Sequence, residues 1–85
     1  MSFIDSLFGR HAVNRDGSSV EKAIVIDDIG EEYLWVQENC MGFQPQMQSL
    51  QHINGKPYDV LGLIKDKGEE RTVYFDISRF YGKSR

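Results

Sequence analysis

Apolar and polar positions change rhythm several times along this chain, and each rhythm predicts an element. In "SFIDSLFG" (2–9), Phe3, Ile4, Leu7 and Phe8 recur at helical spacing, with Ser2 and Asp5 placed to cap and Gly9 to stop a short amphipathic helix. "RHAVNRDGSS" (10–19) has no apolar period and reads as a polar loop. The unbroken apolar run Ala23-Ile24-Val25-Ile26 predicts a strand over 20–28, placed inside a sheet and not at its edge. Over 29–40 the period returns to helical, with Ile29, Tyr33, Val36 and Cys40 on one face and Glu31, Glu32, Glu38 and Asn39 opposite. Asp27 or Asp28 is placed to cap that helix and Gly42 to close it, while Tyr-Leu-Trp-Val keeps a strand over 32–37 as the rival reading.

The C-terminal half reads as a meander. "FQPQMQ" (43–48) is a turn into the next strand, and Asn54-Gly55 between apolar-containing runs predicts a two-residue hairpin within 48–64. "KDKGEE" is a second turn, "RTVYFDI" (71–77) a further strand, and 76–82 a last helical turn capped by Asp76 and stopped by Gly82. The predicted order is α-β-α-β-β-β. That is an α+β fold: a mostly antiparallel four-stranded sheet, three strands of it a C-terminal meander. A middle helix packs on one face, with short terminal helices.

Turn lengths convert this order into a register. A two-residue loop pairs Ser49 with Val60, and a four-residue second loop pairs Val60 with Phe75. One face then holds Met47, Ile53, Tyr58, Val60, Ile64, Val73, Phe75 and Ile77, which predicts a core beneath Tyr33, Val36 and Cys40. The other holds Gln48, Leu50, His52, Asp59, Leu61, Leu63, Thr72, Tyr74 and Asp76, a mixed surface that needs a cover.

Composition narrows the class. The 85 residues make a single domain over 1–85, with 1–19 as helix plus loop, 20–82 as the core unit and 83–85 as a basic tail. With 40% apolar and 27% charged residues, the chain is globular in type. A formal charge of −3 argues against general nucleic-acid binding. The charge is uneven: Asp27, Asp28, Glu31, Glu32 and Glu38 form an acidic block, while Arg79, Lys83 and Arg85 leave the end of the chain basic. Two solvated surfaces account for this, as does an acidic patch meeting a basic tail on another protomer. The single cysteine forms no internal disulfide and no cysteine-rich zinc site, so no metal or cofactor is expected and a cytoplasmic location is. No apolar stretch reaches membrane-span length, and the N-terminal residues do not read as a secretory signal.

Candidate chemistry is sparse. The expected register sets Asp59 beside Asp76 with His52 on the same face, and two close carboxylates split their pKa values as a general acid and base require. Cys40 with His52 forms a nucleophile and base pair only if the thiol is exposed, and the helical wheel turns it inward. The glycine-rich phosphate loops, HExxH, CxxC and EF-hand spacings do not occur. "RFYGKSR" mixes aromatic and basic residues as single-strand binders do, over a very short span. Trp35 falls on the polar side of the wheel, where an interface or an internal cover must shield it.

These readings point to a small non-catalytic protein-interaction module, able to self-associate. Its candidate surfaces are Trp35, Glu31 and Glu38 on the helix and Leu50, Leu61, Leu63 and Tyr74 on the mixed sheet face. The alternative is a small-molecule or hydrolase-like site around His52, Asp59 and Asp76. A weaker alternative is nucleic-acid contact through the basic tail.

Overall fold

The computed structural model describes residues 15–66 and 68–82. The expected helix over 2–9 and the basic residues Lys83 and Arg85 lie outside them. Among the described residues there is a short strand β1 (Ile24–Val25), one helix α1 (Gly30–Asn39), and strands β2 (Gln44–Ile53), β3 (Lys56–Ile64) and β4 (Glu70–Asp76). The sheet is mixed, in the order β1-β4-β3-β2. β1 runs parallel to β4, while β2, β3 and β4 form an antiparallel meander.

This order corrects the expected central position of the first strand: among the described residues β1 is an edge, paired with β4 alone. It shrinks to two residues, although Ala23 and Ile26 beside it are buried. Ile26 packs in the cluster beneath α1 and Ala23 against Tyr58 and Val60 on the other face. Because β1 and β2 occupy opposite edges, the chain joining them must cross the sheet. α1 is that crossing.

α1 starts without a side-chain cap, so neither Asp27 nor Asp28 does what their position suggested. Instead the Asp27 N–H donates to the Glu31 carboxylate (3.1 Å) and the Glu31 N–H to the Asp28 carbonyl (3.0 Å). The helix ends with the Cys40 N–H to Val36 (2.8 Å), and the left-handed Gly42 (φ 85°) lies one residue past the expected C′ position, in a turn closed by the Phe43 N–H to Cys40 (3.1 Å).

The β2–β3 register matches the hairpin expectation, with Ile53 opposite Lys56 and Ser49 opposite Val60. Asn54 (φ 54°) and Gly55 (φ 79°) supply the positive φ angles of a type I′ turn. The turn expected over 43–48 is instead part of β2, which carries Pro45 and a bulge between Pro45 and Met47. An edge strand tolerates both.

The second turn is longer than expected. Ile64 pairs with Glu70, leaving 65–69 in the loop, and Val60 faces Tyr74 instead of Phe75. The loop is held by the Lys65 N–H to Glu69 (2.9 Å) and the Gly68 N–H to Lys65 (2.9 Å). A one-residue slip moves every β4 side chain to the other face of β3.

The core follows from that slip. Leu61 and Leu63 join Val73 and Phe75 on one face, and Val36, Cys40 and Trp35 of α1 pack on them with Ile26 and Ile77. Trp35 meets Phe75 edge to face, with ring centroids 5.8 Å apart at 87°. The opposite face holds a smaller cluster in which Val20 and Ala23 cover Tyr58, Val60 and Tyr74. After β4, Phe80 and Tyr81 donate their N–H groups to Ile77 in a turn, not a full helix. The Asp76 carboxylate accepts from the Ser78 N–H (2.9 Å) and hydroxyl (2.6 Å) at its start.

Candidate functional site

Among the described residues, β2 is the long edge strand of the sheet, paired with β3 alone. All of its residues except Ile53 are exposed, including Met47 at 65% and Leu50 at 47%. Its sequence, QPQMQSLQHI, contains no Asp, Glu, Lys or Arg. Long edge strands expose unpaired backbone groups and are commonly guarded by charge, by proline or by bulges. Here Pro45 and the bulge guard only the start, and the regular run from Met47 to Ile53 has no such guard.

The direction of the peptide groups along this run follows from its hairpin. The pair flanking a two-residue turn is hydrogen-bonded, and bonded and non-bonded pairs alternate beyond it. Ile53, Gln51, Ser49 and Met47 therefore point their N–H and C=O toward β3. His52, Leu50 and Gln48 point theirs to the open side. Pro57, opposite His52, fits this assignment. It has no N–H, and its carbonyl accepts from Ile77 on the far side of β3 (3.3 Å).

Between the end of α1 and the start of β2 lies a cleft of about 320 Å³. Tyr33, Val36, Cys40, Met41, Phe43 and Pro45 give it apolar walls, and Gln37 and Gln44 add amides. A second groove of about 320 Å³ crosses the opposite sheet face, where Gly62 has no side chain between Met47, Ser49, Val60 and Thr72. The first has no charged side chain in its walls, and the second also carries Glu70 and Arg71. Cys40 lines the first, but burial pushes its thiol pKa up, with Arg71 acting more weakly in the other direction. A reactive thiol needs the opposite shift. His52 stands eight positions along β2 from the Gln44 end, roughly 25 Å at the rise of a strand. It rests its ring on Tyr81 (centroids 5.9 Å) and forms no pair with Cys40.

The remaining sequence candidates divide in ways the expected register concealed. Asp59 faces Phe75 across the strands and Asp76 faces Tyr58, so the two carboxylates lie on opposite faces of the sheet. The expected acid-base pair does not exist, and the alternative site built on it loses its geometry. Asp76 is held by Lys56 (3.2 Å) and Ser78. Burial alone would raise its pKa, but the Ser78 donors and the Lys56 ammonium outweigh burial and hold it below the usual carboxylate value. Leu61 and Leu63 are each 1% exposed beneath α1, so they offer no surface. Tyr74 is half-buried on the other face with Tyr58 and Val60. Trp35 is half-buried against Phe75, which corrects its placement on the polar side of the helix. Tyr33, expected inside, is 44% exposed. Glu31 serves the helix start and Glu38 is exposed. Of the mixed face, Gln48, Leu50, His52 and Thr72 remain exposed. In the acidic block, Asp27 pairs with Arg79 of the same chain (3.0 Å).

One residue was missed altogether. Glu32 is fully buried, and neither carboxyl oxygen has a hydrogen-bond partner among the described residues. Burial, then the neighbouring Asp59, push its pKa up to about 9. Asp59 in turn accepts from the Gln48 side-chain amide across β2–β3 (2.6 Å). The i, i+4, i+8 stripe Glu32-Val36-Cys40 was the signal that could have found it. Its acidic first member sent it to the solvent side.

No helix among the described residues is long and apolar enough to cross a membrane, and no His, Cys, Asp and Glu cluster among them could hold a metal ion. Comparison with known protein families, curated proteins and solved structures finds no match to this chain.

Proposed function

We propose that this chain is a non-catalytic protein-interaction module whose binding element is the open edge of β2. The observation that carries the reading is the regular run from Met47 to Ile53: exposed up to His52, free of formal charge, and unpaired on its outer side among the described residues. Adding a strand to such an edge gives affinity through main-chain hydrogen bonds and specificity through alternate side chains. The exposed apolar side chains Met47 and Leu50 lie on that edge, and Tyr33 and Met41 line the cleft beside its start. This replaces Leu61, Leu63 and Tyr74 as contact residues and keeps Leu50.

The test is a photo-crosslinking amino acid placed at Leu50, compared with the same group at exposed Glu21 on the far side of the fold. A discrete protein adduct formed in cells from position 50 and absent from position 21 is expected. Equal or absent adducts at the two positions would remove β2 as a binding edge.

A further inference from the structure

We propose that the occupant of the β2 edge is a second copy of this chain, paired antiparallel about a two-fold axis at Leu50. The proposal rests on the reading of β2 as a binding edge and adds the partner and the register. Three observations carry it.

The first is the order of side chains. From Met47 to Ile53 the strand reads Met-Gln-Ser-Leu-Gln-His-Ile, which is palindromic in polarity about Leu50. Laid against itself, it sets Met47 opposite Ile53, Gln48 opposite His52, Ser49 opposite Gln51, and Leu50 opposite Leu50 of the second copy. Apolar meets apolar and polar meets polar at every step, and cross-strand pairs are what stabilise a sheet.

The second is the direction of the peptide groups. Gln48, Leu50 and His52 carry the outward N–H and C=O groups. A two-fold axis at Leu50 pairs these three residues with one another, Leu50 with its own copy and Gln48 with His52. An offset that sets Leu50 opposite Gln51 would bring outward groups against inward ones and form no ladder; axes at Ser49 or Gln51 also pair outward groups, and the side-chain order selects Leu50 among the three. The bulge at one end and the hairpin turn at the other bound the regular run symmetrically about Leu50.

The third is charge. Each copy carries a formal −3, yet β2 contributes nothing to it. Two copies therefore meet without like charges across the new strand pair. A partner of different sequence would find no charge on this edge to select it. Because the axis stands perpendicular to the sheet, the product is a continuous sheet with both α1 helices on the same face. A strand pair buries less than a standard interface of about 1,200–2,000 Å² in total, so association should be weak and concentration-dependent.

Sedimentation equilibrium of the intact protein from micromolar to millimolar concentration tests this. The average mass should rise from the 9.8 kDa monomer toward twice that value. Leu50→Pro removes only an outward N–H, which an edge strand tolerates, and should keep the protein monomeric throughout. Leu50→Lys should do the same without altering the backbone, by setting two like charges face to face. It decides the matter if the proline variant does not fold. A wild-type mass that stays monomeric to millimolar overturns the second copy, and the adducts at position 50 then judge the broader reading separately. A dimer that survives Leu50→Lys overturns the edge and the register.

Discussion

Glu32 of α1 lies fully buried against Asp59 of β3, with no basic group or amide among the described residues to partner its carboxyl. The Gln48 amide is committed to Asp59 and not to Glu32. The first turn of the helix thus meets the sheet through two acidic groups. Burial, then the hydrogen bond that a protonated carboxyl makes to Asp59, then the charge there, keep a proton on Glu32 at neutral pH.

That arrangement costs stability as pH rises. In the unfolded chain Glu32 ionises near the ordinary value of 4.5, and in the folded one near 9. Between those values the folded state holds the extra proton, so stability falls with increasing pH across that window and levels off above it. Glu32→Gln keeps the shape and removes the titration. It should stabilise the protein at neutral pH by on the order of 1–3 kcal/mol and flatten the decline. Urea melts of both proteins at acid, neutral and alkaline pH measure it. An equal slope in the two proteins would show that Glu32 does not carry the effect.

Asp76 carries the opposite sign. Its folded pKa is held below the ordinary 3.8, so its contribution is present above that value and is lost as pH falls through the folded one. Asp76→Asn can still accept from Ser78 but cannot pair with Lys56. A loss of about 1 kcal/mol at neutral pH is expected, with a shallower acid limb than wild type. Acid denaturation followed by far-ultraviolet circular dichroism reads both.

Gly17 tests how the 15–23 segment seats against β4 and Val73 of the main core. It sits at φ 78°, its carbonyl accepts from the Tyr74 N–H (2.8 Å), and an added Cβ would lie 2.6 Å from Val73 Cγ1. Gly55 has a similar φ of 79° but open space around it. Gly17→Ala should therefore cost about 2–4 kcal/mol, against about 1–2 kcal/mol for Gly55→Ala, because only the first adds a clash to the backbone strain. Thermal or urea unfolding of the two variants checks the difference, and equal losses would mean that the 15–23 segment yields freely.

Much of the local structure was legible because it depends on near neighbours. The Asn54-Gly55 hairpin set its own register, since a two-residue turn admits few backbone solutions. The helix at Gly30–Asn39 was legible from its period and the glycine just past its end. The face it buries was not. Tyr33 and Trp35 flank Val36 on either side, and packing on Phe75 selected Trp35.

The sequence by itself determined the meander, its first turn, the helix and an uncharged, polarity-symmetric strand. Tertiary structure decided what those pieces do together. One residue more in the 65–69 loop turned β4 over. Leu61 and Leu63 thereby became core with Val73 and Phe75, and Asp59 was parted from Asp76. The crossing of α1 from one edge to the other buried Glu32 and left β2 open. Periodicity reports which residues share a face. Only the relative placement of elements, fixed by loop length and long-range packing, reports which face is covered.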